Sequence, residues 1–178
     1  MGKAHRKTKG QATQEYLERL DQAECRSRVL GIPIAHAFAV WSSSLAGCLI
    51  HLCEYGEGED ANALQRQYWA VYQDYIEVLR NESKALGSKG GYGGSPSVDY
   101  DEDSEGYIDW CNRARYRAES MREHLKAYQN SVGIRCNVPF IQRQILNEDM
   151  DSSNWKSYAH AFPQLRGVLD SLDKFLNK

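Results

Sequence analysis

The chain has no apolar run long enough to cross a membrane. Its longest apolar stretches, around Ile32 to Val40 and Leu45 to Cys53, are broken by Ser42, Ser43, Ser44 and His51. Both fall well short of the roughly 20 residues a spanning helix needs, so no transmembrane helix is expected and no membrane partner. The segment Met1 to Lys9 is basic, with no apolar stretch behind it and no small-residue cleavage site. It does not read as a secretory signal, and residence in the cytoplasm is the expectation.

Paired ligands and catalytic signatures are missing as well. Five cysteines, at positions 25, 48, 53, 111 and 136, form an odd set without a repeated spacing, which argues for free thiols over a secreted disulfide framework. Cys48, His51 and Cys53 lie close together in sequence, but no second ligand pair stands at a zinc-site spacing. His36, His51, His124 and His160 are scattered, and none adjoins a nucleophile motif. The glycines at 90–94 lack a following Lys-Ser or Lys-Thr and lead into acids that repel phosphate. The pattern points to a protein that is not an enzyme and that carries no cofactor and no metal.

What the chain does have is enough apolar material to fold. Its 178 residues are 42% hydrophobic and 11% aromatic, which suits one ordinary domain or two small helical units. A formal charge of −2 hides an uneven distribution. Residues 1–9 hold four basic side chains and no acid, residues 99–110 hold six acids and no Lys or Arg, and residues 111–178 hold eleven basic against seven acidic. Positive ends suit phosphate, because Lys and Arg supply the salt-sensitive part of nucleic-acid binding. A solvated surface with a basic tail accounts for the same numbers.

Periodicity is helical throughout. Tyr16, Leu17, Leu20 and Ala23 predict an amphipathic helix over about 13–26, broken by Gly31 and Pro33. Leu45, Cys48, Leu49, Leu52 and Cys53 share a face until Gly56 and Gly58. Leu64, Tyr68, Val71, Tyr72, Tyr75, Val78 and Leu79 repeat over about four turns. The aromatics Tyr68, Trp69, Tyr72 and Tyr75 are read as core filling, since base-stacking platforms are usually built on sheets.

Six glycines, Pro96 and the acids from Asp99 to Glu105 mark 87–106 as a linker. Asp99, Asp101 and Asp103 imitate a calcium loop, but Ser104 and Trp110 stand where its glycine and bidentate Glu belong. Beyond it, Cys111, Ala114, Ala118, Met121, Leu125, Tyr128 and Val132 predict a long helix with a narrow seam. Arg113, Arg115, Arg117, Arg122 and Lys126 lie largely off that seam. They form an ordinary solvated face or a phosphate-contacting flank.

Three short helical patterns close the chain. Pro139 suits a first helical position ahead of Phe140, Ile141, Ile145 and Leu146; Asp151, Ser152 or Ser153 can cap a second helix with Trp155, Tyr158 and Ala159. Pro163 opens a third, whose Leu165, Val168, Leu169, Leu172 and Leu176 form one apolar face. The expected fold is all-α: a helical bundle with a flexible Gly/acidic linker and a C-terminal three-helix, helix-turn-helix-like unit. The expected division is a basic disordered arm at 1–12, an N-terminal helical region at 13–86, the linker at 87–106, and the long helix with the terminal unit at 107–178.

The stretches Leu45 to Gly56, Gln65 to Tyr75, Ser95-Pro96-Ser97 and Leu165-Arg166-Gly167-Val168-Leu169-Asp170-Ser171-Leu172 together resemble a loose group of small alphaproteobacterial prophage proteins. In these, an early helical region leads through a Ser-Pro-Ser-bearing Gly-rich loop to a helix-turn-helix-like end. The resemblance implies a phage-type regulatory or DNA-associated protein and carries no catalytic residue across.

Two functions follow as expectations. The first is a DNA-binding or transcription-regulatory protein acting on double-stranded DNA through residues 139–176. Arg135, Gln142, Arg143, Asn154, Lys156, Gln164 and Arg166 are its candidate contacts, with Lys3, Arg6, Lys7 and Lys9 of the arm on phosphates. The second is a helical adaptor, such as a phage packaging component or an RNA-polymerase-associated factor, that uses the 107–132 seam for a partner or for homo-oligomerisation.

Overall fold

The computed structural model describes residues 9–87 and 105–177. Lys3, Arg6, Lys7 and most of the expected linker lie outside the described residues. Among those described, the fold is all-helical.

Helix α1 (Lys9–Leu30) extends the expected helix at both ends and stops at Gly31, whose φ of 64° suits glycine. Pro33 then precedes the short α2 (Ile34–Ala37), and a 3-10 turn (Val40–Ser43) leads into α3 (Leu45–Leu52). Ser44 caps α3 by accepting from the Gly47 amide at 2.9 Å. Gly47 itself allows a close approach, because a Cβ there would fall 2.2 Å from the Trp41 carbonyl oxygen. Helix α4 (Glu59–Ala85) opens on Gly58 at φ 102°, with Glu59 and Asp60 in the first turn where the helix dipole favours acids.

Helix α5 (Glu105–Val132) ends at Gly133, which has φ 56°. A 3-10 turn (Gly133–Arg135) follows, then one turn of α6 (Val138–Phe140) capped by Asn137. The first terminal helix continues as a wide π turn over Ile141–Leu146, which brings Ile141, Ile145 and Leu146 together into the core. The second expected helix is a single turn, α7 (Trp155–Tyr158), between 3-10 turns at Ser152–Asn154 and Ala159–Ala161. Helix α8 (Phe162–Leu176) carries Leu165, Val168, Leu169 and Leu172 fully buried, as its periodicity predicts.

The main core joins α3, α4 and α5 to the terminal segment. Tyr75 and Leu49 pack there with Met121 and Leu125 of α5, and with Leu165 and Leu169 of α8. Polar pairs close its edges. Tyr68 donates to Asp170 at 2.7 Å, Tyr75 to Asn147 at 2.6 Å and Gln67 to Asp173 at 3.0 Å. The expected C-terminal unit is therefore not assembled on its own core. Its apolar residues share one core with α3, α4 and α5 and close against them. The 107–132 seam has the same fate: Cys111, Ala118, Met121 and Leu125 are buried inside the protein.

A smaller cluster of Ala23, Leu30, Ile32, Ala37 and Cys48 holds α1 and α2 to α3. Trp155 ties this corner to the C-terminal segment by donating from Nε1 to the Leu30 carbonyl at 3.1 Å.

Candidate functional site

Aromatic rings from three elements meet beside α3. Trp41 stacks on His51 with centroids 4.6 Å apart, and Trp69 meets the other side of His51 edge-on at 5.4 Å. Burial, with a smaller contribution from His36, lowers the His51 pKa to about 4, so the ring is neutral near pH 7. Its Nε2 is buried without a hydrogen-bond partner. The neighbouring Cys48 thiol lies 3.7 Å from the Ser42 carbonyl, and burial pushes its pKa up to about 12, which leaves it protonated and a poor nucleophile. Among the described residues, no three His, Cys, Asp or Glu side chains converge as a metal site.

Asn147 and Glu148 follow the π turn. Glu148 has φ 56° and is the single non-glycine described residue with positive φ. Burial raises its carboxyl pKa, while the Tyr72 hydroxyl, the Leu45 amide and the Ser44 hydroxyl pull it the other way. Tyr72 donates to it at 3.3 Å. The left-handed turn thus serves to bring a carboxylate to the start of α3, a place that favours negative charge.

The sequence-predicted contacts occupy several distinct local settings. Arg135 is exposed and shares a shallow hollow with Gln164, but Gln164 Oε1 is already accepting from the Asn137 amide at 3.0 Å. Gln142 is half-buried beside Tyr75, and Arg143 is exposed with Asp149 at 4.0 Å. Asn154 and Lys156 are exposed, with the Lys156 ammonium beside Gly31 and over the Trp155 ring. Arg166 is drawn inward, its guanidinium 5.3 Å from the Tyr55 ring centroid, 5.9 Å from Tyr68 and 6.0 Å from Phe162. Lys9 opens α1. Along α8 the exposed or half-exposed charged positions are Arg166, Asp170, Asp173 and Lys174, so the helix expected to enter a groove is buried on its apolar side and of mixed charge elsewhere.

Among the described residues two surfaces stay open, an amphipathic stripe that periodicity had marked and a groove that it had not. The first is the outer part of α1. From Thr13 to Gln22 no described side chain is buried, and Tyr16 and Leu17 are 59% and 47% exposed. The helix leans on α2 and on the turn Ser152–Asn154 through its later residues, Ala23 and Leu30. Val29, Ile34 and Val40 add exposed apolar area in the same N-terminal part of the chain. The spacing of Tyr16, Leu17 and Leu20 marked only an amphipathic helix, and an amphipathic stripe looks the same whether the chain or a partner covers it.

The second is a groove of about 370 Å³ between the end of α4 and the start of α5. Asp74, Glu77 and Asn81 form the α4 bank, Arg113 and Arg117 the α5 bank, and Val78, Ala114 and Trp110 complete the lining. The four charged side chains are exposed. Nearby arginines are engaged: Arg115 donates to the Ala85 carbonyl at 2.7 Å and Arg122 pairs with Glu82.

Comparison with protein-family models, with curated proteins and with solved structures finds no match to this chain.

Proposed function

We propose that the protein is a non-enzymatic helical interaction protein that binds its partner through the exposed N-terminal half of α1. The supporting observation is the stripe of Tyr16, Leu17 and Leu20 on a helix whose first buried described side chain is Ala23. Exposed large apolar side chains gathered on one element mark interaction surfaces. The half-buried, neutral His51 and the protonated Cys48 offer no group poised for chemistry. A phage adaptor or a polymerase-associated factor is the kind of role that fits.

The test is a photo-cross-linking residue placed at position 17, with position 174 as a surface control. Identified partners are then purified and recombined with the protein. A specific partner joined at position 17 and lost on Tyr16→Glu with Leu17→Glu is expected. Cross-links no stronger than at position 174 would remove the reading.

Double-stranded DNA is the second reading, supported by the exposure of Arg135, Arg143, Asn154 and Lys156. Its mark would be binding to labelled duplex that weakens steeply with salt and falls further on Arg135→Ala with Lys156→Ala. Absence of binding at low salt would end it.

A further inference from the structure

We propose that the partner of α1 is a second copy of this chain, and that it receives α1 in the groove between α4 and α5. The inference rests on the reading of α1 as a docking face and adds its occupant.

The end of α4 and the start of α5 form a two-helix hairpin, since α8 packs nearer its other end, where Tyr68 meets Asp170 and His124 meets the Ser171 carbonyl. Among the described residues no third helix packs into the groove, which sets apolar Val78, Ala114 and Trp110 between charged banks. Helix α1 has the matching layout. With 100° between successive residues, Arg19 falls on one side of the Tyr16, Leu17 and Leu20 stripe and Asp21 on the other. Both are exposed. Seating the stripe in the groove sets Arg19 against Asp74 and Glu77, and Asp21 against Arg113 and Arg117. Only one direction of α1 along the groove satisfies both banks, so the charges fix its polarity.

Within its own chain α1 is pinned by Ala23 and Leu30 against α2 and α3, while Tyr16 and Leu17 are 59% and 47% exposed. The contact is between different surfaces. A pair related by a two-fold axis makes it twice, which raises the area buried by a small interface.

The experiment is sedimentation of full-length protein over a wide concentration range, with circular dichroism to confirm folding of each variant. Wild type is expected to associate, and both Leu17→Glu and the pair Arg113→Glu with Arg117→Glu to raise the dissociation constant at least tenfold. Mixing the two variants is then decisive. The first keeps an intact groove and the second an intact α1, so together they form a one-to-one complex heavier than either alone. A monomeric wild type, an association indifferent to both variants, or a mixture without the complex would each overturn the proposal. A monomer that still cross-links to another protein through position 17 would leave the α1 reading standing without it.

Discussion

At the scale of single residues, His51 shows how position converts a titratable ring into packing material. Held between Trp41 and Trp69, it stays neutral until about pH 4, whereas in the unfolded chain it titrates near 6.5. Between these values the unfolded state binds the proton and the folded state does not. Stability is therefore full above about pH 6.5 and falls as the pH drops toward 4. Glu148 acts in the opposite sense, because its raised carboxyl pKa favours the protonated folded form on acidification. The His51 contribution is isolated by comparing urea unfolding of wild type and His51→Phe across this range. The variant is expected to lose part of the acid sensitivity, and an unchanged pH slope would show that His51 is protonated in the folded protein. None of this was legible in the sequence, where His51 stood near two cysteines and invited a metal reading. Its actual neighbours come from residues ten before and eighteen after it.

At the scale of elements, legibility followed periodicity. The stripes of α4, α5 and α8 named most of their buried residues, with Leu64, Leu79, Tyr128, Val132 and Leu176 only partly covered, because long helices must hide one face whatever they pack against. The short terminal helices were less regular than expected, since a π turn and 3-10 turns replace uniform α geometry where the chain must fold back on the core. For α8 the energetic test is a contrast. Leu169→Ala is expected to cost about 2–5 kcal/mol, as for other fully buried leucines. Lys174→Ala, on the exposed side, is expected to stay within about 0.5 kcal/mol. Urea denaturation of both variants checks this, and a cost below about 1 kcal/mol for Leu169→Ala would contradict a packed α8. The open stripe on α1 was visible as a pattern, but its lack of a cover was not, because covering depends on what the rest of the fold brings near.

At the scale of the whole molecule, the glycine-rich acidic stretch suggested a boundary, yet the core draws residues from both sides of it. Tyr68 with Asp170, Tyr75 with Asn147 and Arg122 with Glu82 all join residues before that stretch to residues after it. Charge and composition reported a change along the chain. They could not report that the apolar faces on either side are complementary. Covalent continuity between α4 and α5 is therefore expected to be dispensable for the architecture. Separately produced fragments 1–87 and 105–178 are expected to reassemble one to one on mixing and to recover the near-ultraviolet signal of the intact chain. Fragments that stay apart would mean that the tether supplies the association. Reassembly would make this small bundle a natural split protein, with folding of each half conditional on meeting the other.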